Sequence, residues 1–264
     1  MSIALKNIFA EHGYNLVSLP KSDIKPLLLL YKVGSDVSSA QSQVTTLFPA
    51  DEIPAPAIKK NIDVMPIVGK AEVAFDAKAG LNFLEGLLSN FKKGKAAAKI
   101  KISDEDVLTF SFQDIKEDSI DLLALDRFIS GTAPDISRFT AFGEKLKKSE
   151  LFIINAVLKS TSFTIKITDK SGQDVDVEAQ IKGMAEANVK MSRAKNNSIT
   201  LSHKDEQLPL IFAFRAQRIK YDQPAFWSTK KAKFRIIDQP DVVLRDTGNI
   251  VTEPLLLGLY TTEL

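Results

Sequence analysis

The side chains best suited to catalysis are scarce and badly spaced. There are two histidines, His12 and His203, nearly the length of the chain apart, and no cysteine. Thiolate nucleophiles, disulfides and cysteine-based zinc sites are therefore excluded. A metal site would need carboxylates folded around one histidine, and a solvent-facing or internally satisfied imidazole is the simpler reading of each. No Gly-x-Ser-x-Gly elbow occurs, so the usual nucleophile turn of hydrolases is missing. Gly86 and Gly94-Lys95 resemble a phosphate-binding loop, but their spacing is wrong and Ala96 stands where Ser or Thr would hold magnesium. Two acid-x-acid pairs remain, Asp104/Asp106 and Asp174/Asp176. In a strand, residues i and i+2 share a face, so Asp174 and Asp176 could bind a cation together. The polar face of an exposed strand has the same spacing. No catalytic residue, metal ligand or cofactor is assigned, and the chain is expected not to be an enzyme.

Nucleic acid is no better served. Lys92, Lys93, Lys95, Lys99 and Lys101 form a basic stretch whose only aromatic neighbour is Phe91, whereas stacking platforms interleave aromatics with charge. Over 264 residues, 35 basic side chains against 33 acidic ones give +2, too balanced for a dedicated nucleic-acid binder. Hydrophobic content of 44% and charged content of 26% fit a globular protein and exclude disorder over most of the chain. Met1–Phe9 lacks the apolar core of a secretory signal. No run reaches the ~18–20 apolar residues of a spanning helix. The nearest, Ala79–Phe91, is broken by Asn82, Glu85, Ser89 and Asn90. A soluble cytoplasmic protein is expected.

The elements that would position any site change character along the chain. Ile3–His12 reads as a short helix ending at Gly13, and Tyr14–Leu19 alternates weakly up to Pro20. Leu27–Leu30, with Tyr31 and Val33, suits a strand covered on both faces. Asp51–Pro66, within reach of four prolines, is predicted to be a loop or extended connector. Val73 and Phe75 then alternate with polar or small residues, and Leu81, Leu84, Leu87, Leu88 and Phe91 fall at helical spacing. Leu108, Phe110 and Phe112 alternate again, and helices are predicted over Leu122–Ile129 and Ile136–Leu146. From Leu151 the pattern is insistently β. Phe163, Ile165 and Ile167 lead into the turn Ser171-Gly172, then Val175, Val177, Ala179 and Ile181, then Ile199 and Leu201, then Leu210, Phe212 and Phe214.

Long strands with apolar and polar faces serve two architectures. A transmembrane β-strand needs ~9–11 residues alternating between lipid and water. A soluble sheet with one face on its core produces the same pattern. Particular strings narrow the choice. Gly13–Pro20 with Asp23–Leu27, Phe110–Asp114 running into Ile120–Asp126, and Leu210–Arg218 together resemble bacterial gasdermins in content and order along the whole chain. The resemblance implies an α+β fold, a twisted and mainly antiparallel central sheet flanked by helices, like the gasdermin N-terminal domain with a short C-terminal inhibitory tail. It implies a homo-oligomeric pore in the inner membrane, formed after a protease removes the tail, that kills the infected cell as antiphage defence. Two membrane hairpins would come from about Glu72–Phe112 and Phe152–His203, kept short in the soluble state partly by the helix Ala79–Phe91. Lipid-facing positions would be Val73, Phe75, Leu108, Phe110, Phe163, Ile165, Ile167, Val175, Val177, Ile181, Ile199 and Leu201. The acylated N-terminal cysteine usual in the family has no counterpart here; Ala4 lies in that region, and no lipidation site is assigned.

The remaining expectations concern the C-terminus. Asp238–Asn249 carries Pro240, acids on both sides and Gly248-Asn249, and is followed by an apolar tail, Leu255, Leu256, Leu257, Leu259 and Tyr260. The expected division is a pore-forming body, 1–240, and a cleavable linker with autoinhibitory peptide, 241–264. Val242-Val243-Leu244-Arg245-Asp246 would suit a caspase-like or trypsin-like protease, with Arg245 before the scissile bond and Leu244 or Asp246 as alternatives. Residues 241–264 carry Arg245 against Asp241, Asp246, Glu253 and Glu263, so removing their net −3 from +2 leaves +5 on the body. The intact chain is expected to be a cytoplasmic monomer, and the cut body a membrane-bound oligomer with lipid and no nucleic acid as partner. A non-enzymatic lipid- or peptide-binding module on the same sheet is one rival; an α+β enzyme with an unseen site is another.

Overall fold

The computed structural model describes residues 12–17, 24–33, 36–64, 72–89, 103–174, 189–193, 199–203, 209–222 and 233–237. Their strands are β1 (Asn15–Leu16), β2 (Leu28–Val33), β3 (Asp36–Gln43), β4 (Ile58–Asp63), β5 (Glu72–Asp76), β6 (Val107–Gln113), β7 (Lys116–Ile120), β8 (Leu151–Ser160), β9 (Ser162–Thr168), β10 (Val189–Arg193), β11 (Ile199–His203), β12 (Leu210–Asp222) and β13 (Lys233–Ile237). Helices span Val44–Leu47, Ala77–Ser89, Leu122–Gly131 and Thr140–Lys147. One sheet has the order β10-β11-β9-β6-β5; the other runs β1-β12-β8-β2-β3, with β13 on β12 and β7 joining β8 to β4. The chain falls into two compact units: Met1–Asp23, Ile62–Glu117 and Leu158–Ala213 form one, and Ile24–Asn61, Asp118–Val157 and Phe214–Leu264 the other.

The second unit is built around a core that its sequence patterning forecasts well. All of Leu27–Leu30 is buried, as the continuous apolar run required. In the helix Leu122–Gly131, Leu125, Phe128 and Ile129 recur at the spacing of one helical face and are buried with Val44, Phe48, Leu146, Leu151 and Ile153. The Asp121 carboxylate accepts from Ala124 N at 3.0 Å and so caps that helix, while Leu123 is left 83% exposed. Phe48 meets Phe234 edge-on at 5.8 Å, and the Asp126 carboxylate accepts from the backbone of Ile236 at 3.1 Å. Every residue of β8 is buried, which identifies a central strand rather than a two-faced one.

Several elements differ from expectation. The connector Asp51–Pro66 contains β4, whose residues after Ile58 are all exposed. Lys59, Lys60 and Asn61 bury no side chain; backbone pairing with β7, the Lys116–Asp63 ion pair and the Asp118 carboxylate, which accepts from Asn61 N at 2.8 Å, hold the strand, so no apolar alternation announces it. β3 is mostly polar apart from the buried Val37, and its hairpin register with β2 is bulged between Leu28 and Leu30. The helix predicted from Ile136 starts at Thr140, because the Asp135 carboxylate accepts from Ser137 Oγ at 2.7 Å and Arg138 N at 3.4 Å and holds that turn open. The expected N-terminal helix Ile3–His12 lies outside the described residues but for His12.

Candidate functional site

The five-stranded sheet of the first unit separates its chemistry by face. Every neighbouring pair is antiparallel, and the registers align residues into rows. One row runs Val73, Phe110, Ile165, Ile199; beside it stand Phe112, Phe163, Leu201 and, on the other side, Phe75, Leu108, Ile167. Val73, Leu108, Phe110, Phe163, Ile165 and Ile167 are buried. Strand side chains alternate with period two, so the intervening residues form the opposite face. There the row is Glu72, Ser111, Thr164, Thr200, with Ser192 next in register. Ser111 Oγ donates to Glu72 Oε1 at 3.1 Å, and the Thr164 and Thr200 hydroxyls share a 3.0 Å hydrogen bond. Gln113 Nε2 donates to Thr164 Oγ1 at 3.4 Å, and Lys166 pairs with Asp174 at 2.9 Å.

A helix covers the apolar face. Ala77–Ser89 follows β5 directly, capped by the Asp76 carboxylate, which accepts from Ala79 N at 2.8 Å. Its Phe83, 2% exposed, lies with ring centroids 5.0 Å from Phe75, 5.0 Å from Phe110 and 6.2 Å from Phe112. Phe112 stacks at 3.8 Å on Phe212. Gly80 lets the helix lie close: a Cβ there would stand 2.7 Å from Leu108 Cβ, closer than real atoms pack. Sequence reasoning found the helix, two residues displaced, but neither Phe83 nor Gly80 as its contact points. The sequence held only a partial signal: a glycine inside a helical pattern can mark a close approach, but this helix has two, Gly80 and Gly86.

A family model, the Bacterial Gasdermin Family, matches residues 17–230. A gasdermin of Gillisia limnaea is 44% identical over 258 residues, covering 97% of each chain. A gasdermin of a Desulfuromonadales bacterium is 31% identical over 214 residues, 80% of this chain and 79% of its own. The chain belongs to the bacterial gasdermin family. Gasdermins are pore-forming proteins, and the resemblance read from the sequence is borne out. A solved bacterial gasdermin from Bradyrhizobium tropiciagri shares the fold, with a TM-score of 0.53, 13% identity, and coverage of 87% of this chain and 88% of its own. The expected α+β, mainly antiparallel gasdermin architecture is therefore correct.

Within this gasdermin, the structure brings Val73, Phe75, Leu108, Phe110, Phe163 and Ile165 onto one face with Ile167, and register adds Ile199 and Leu201. Val175, Val177 and Ile181 lie outside the described residues, as do Leu244, Arg245 and Asp246 and the tail positions Leu255, Leu256, Leu257, Leu259 and Tyr260. One acid of each expected pair has a local partner, and Asp176 lies outside the described residues. Asp106 Oδ2 accepts from Ser103 N at 2.9 Å in a turn, and Asp174 is neutralised by Lys166. Among the described residues no three His, Asp or Glu side chains converge as metal ligands. The turn after β9 is fastened by Asp169, which accepts from Ser171 Oγ at 2.7 Å and from Ser171 N and Gln173 N at 2.9 Å. The Ser171 hydroxyl, then the Gln173 amide, hold its carboxyl below the ordinary range. Gly172 sits at φ +80° there, open to the left-handed conformation the turn requires. No described helix is long and apolar enough to cross a membrane.

Proposed function

We propose that this gasdermin is a latent pore former whose five-stranded sheet is the membrane-inserting part, held closed by the helix Ala77–Ser89 and by the C-terminal segment 241–264. The observation that carries the reading is a sheet whose strands β5, β6 and β9 bury one apolar face beneath an element that sequence could refold. Read with period two, Ala77, Ala79, Leu81 and Phe83 continue the face of Val73 and Phe75, while Lys78, Gly80 and Asn82 continue the polar one. The segment thus carries a helical code and a strand code at once. Unwinding it would lengthen the first hairpin, Glu72–Phe112, and the second, within Phe152–His203, would lengthen in parallel. In lipid every backbone group must pair, so strands can insert only as a closed ring, which many subunits supply.

Val73, Phe75, Leu108, Phe110, Phe163, Ile165, Ile167, Ile199 and Leu201, joined by Val175, Val177 and Ile181, then face lipid. The tail leucines would hold the body shut: burying Leu255, Leu256, Leu257 and Leu259 at about 1.5–3 kcal/mol each is ample before ordering costs. Once a caspase-like or trypsin-like protease cuts near Arg245, at that residue or at Leu244 or Asp246, the tail is no longer tethered at high effective concentration and departs. The intact monomer resides in the cytoplasm and the ring in the inner membrane, where leakage kills the cell as antiphage defence. Dye-loaded vesicles test this. Release only after cutting within 238–249 supports the reading; no release in either state supports a binding module, and substrate turnover by the intact chain an enzyme.

A further inference from the structure

Strands β5, β6 and β9 stop at one level, and an aspartate stands at the stop of each. Register pairs Asp76 of β5 with Val107 of β6, and Val107 with Thr168 of β9. Asp76 is the last residue of β5, Asp106 precedes β6, and Asp169 follows β9. Each carboxylate accepts from backbone N–H of the adjoining helix or turn. Asp76 takes Ala79 N at 2.8 Å, caps the helix Ala77–Ser89, and has a further interaction besides. Asp106 accepts from Ser103 N at 2.9 Å, while its own N donates to the Ser103 carbonyl at 3.0 Å. Asp169 accepts from Ser171 N and Gln173 N, and its N donates to the Gln173 carbonyl at 2.9 Å. The chain there folds straight back, so that Asp174 pairs with Thr168. We propose, resting on the pore reading above, that Asp76, Asp106 and Asp169 form a stop line that keeps the membrane hairpins short, and that its release is a step in their extension.

Aspartate is a common turn residue, and one alone would mean little. What the line does shows when the ladder is grown by one residue in the register already present. That sets Ala77, Asp106 and Asp169 in a row. Side chains alternate with period two, so the row falls on the face of Phe75, Leu108 and Ile167, which the pore reading turns to lipid. Asp106 and Asp169 then stand directly opposite each other, like charge against like charge, on a face where charge is costly. Lys195, which the register of β9 with β11 brings to the far side of Asp169, neutralises one acid but not both. The next row presents no such obstacle. It holds Lys78, Glu105 and Lys170 on the polar face, and Lys170 already pairs with Glu105 at 2.8 Å. The carboxylates of Asp106 and Asp169 therefore act twice in one direction: closed, they satisfy turn amides, and open, they oppose the longer strands. Asparagine satisfies the same amides without charge, which separates the two effects.

The test is the initial rate of dye release from vesicles of phosphatidylethanolamine and phosphatidylglycerol by protein cut within 238–249. Asp106→Asn combined with Asp169→Asn keeps a side-chain acceptor in each turn and removes both charges. Its release should be about two- to fivefold faster than that of the natural chain. Asp106→Val combined with Asp169→Val removes the acceptors as well, and each lost set of turn bonds should add about a fivefold shift toward opening. The control is Asp121→Ala, which removes the cap of the helix Leu122–Gly131 in the other unit and should lower the melting temperature without speeding release. Asparagine variants that release at or below the natural rate overturn the proposal, whether or not the valine variants fold. So does an Asp121→Ala chain that releases as fast as they do, since any loss of stability would then suffice. If the cut natural chain never releases dye, the pore reading itself fails and takes this proposal with it, a result distinct from release that ignores these substitutions.

Discussion

Replacing Gly80 by valine should push this gasdermin toward opening. In the closed state a Cβ at position 80 would stand 2.7 Å from Leu108 Cβ, with Leu108 Cγ and Cδ2 both at 3.1 Å. Leu108 Cβ is fixed to the backbone of β6 and cannot swing aside, so the helix must lift. Overpacking of this kind costs about 1–3 kcal/mol. In the extended form the same position sits on the polar face of a strand, where valine improves β-propensity on a scale spanning about 1 kcal/mol. The two effects have the same sign. A bias of about 1–3 kcal/mol is about 5–150-fold in the closed-to-open equilibrium. Thermal melting of the uncut chain should fall by about 2–4 °C per kcal/mol. Dye release by uncut Gly80→Val should rise above that of the natural chain, and release after cutting should start sooner. A lowered melting temperature with leakage unchanged or reduced would refute the reasoning, because destabilising the helix would then not be a step toward the pore.

Three further expectations accompany it. Leakage by the cut body, at +5, should fall with added salt and with replacement of anionic by zwitterionic lipid, each surface Lys or Arg counting for up to about 1 kcal/mol; equal release from zwitterionic vesicles at high salt contradicts it. Leu256→Asp should make the uncut chain leaky or toxic, and Arg245→Ala should block activation by the native protease; a silent, well-folded Leu256→Asp removes the tail as inhibitor. Because the Asp169 carboxyl is held below its ordinary value, the turn after β9 gains stability above the unfolded carboxylate pKa of about 3.9 and loses it as pH falls through the lower folded value. The protection of the Gly172 and Gln173 amides, relative to their intrinsic exchange rate at each pH, should therefore fall in acid, and Asp169→Asn should lose that pH dependence.

What the sequence disclosed follows from what periodicity can encode. Alternation in Val73–Phe75, Leu108–Phe112 and Phe163–Ile167 places eight side chains on the face where the structure has them, since an apolar face must be written into side chains to be buried. β3 and β4 left no such trace, because most of their side chains are polar: β3 buries Val37 without an alternating apolar set, and β4 rests on backbone pairing and the Lys116–Asp63 ion pair. The start of the helix Thr140–Lys147 was hidden by a carboxylate at Asp135, a local competitor that a count of apolar spacing does not see. At the candidate site, the paired strands were readable one by one, but not their order. β9 joins β6 to β11, and only that order reveals the continuous rows. Phe83 and Gly80 gain their meaning from that surface, and so became visible only with it.

The claim that the helix Ala77–Ser89 must leave the sheet is open to a direct lock. Gly80→Cys with Leu108→Cys introduces the chain's only two thiols, with Cβ atoms that a small outward shift from 2.7 Å brings into disulfide range, about 3.5–4.5 Å. Vesicle leakage is measured on the cut, oxidised double variant before and after reductant. The account predicts no release while the bond is intact and release once it is reduced. Full release by protein whose disulfide is shown to persist would contradict it.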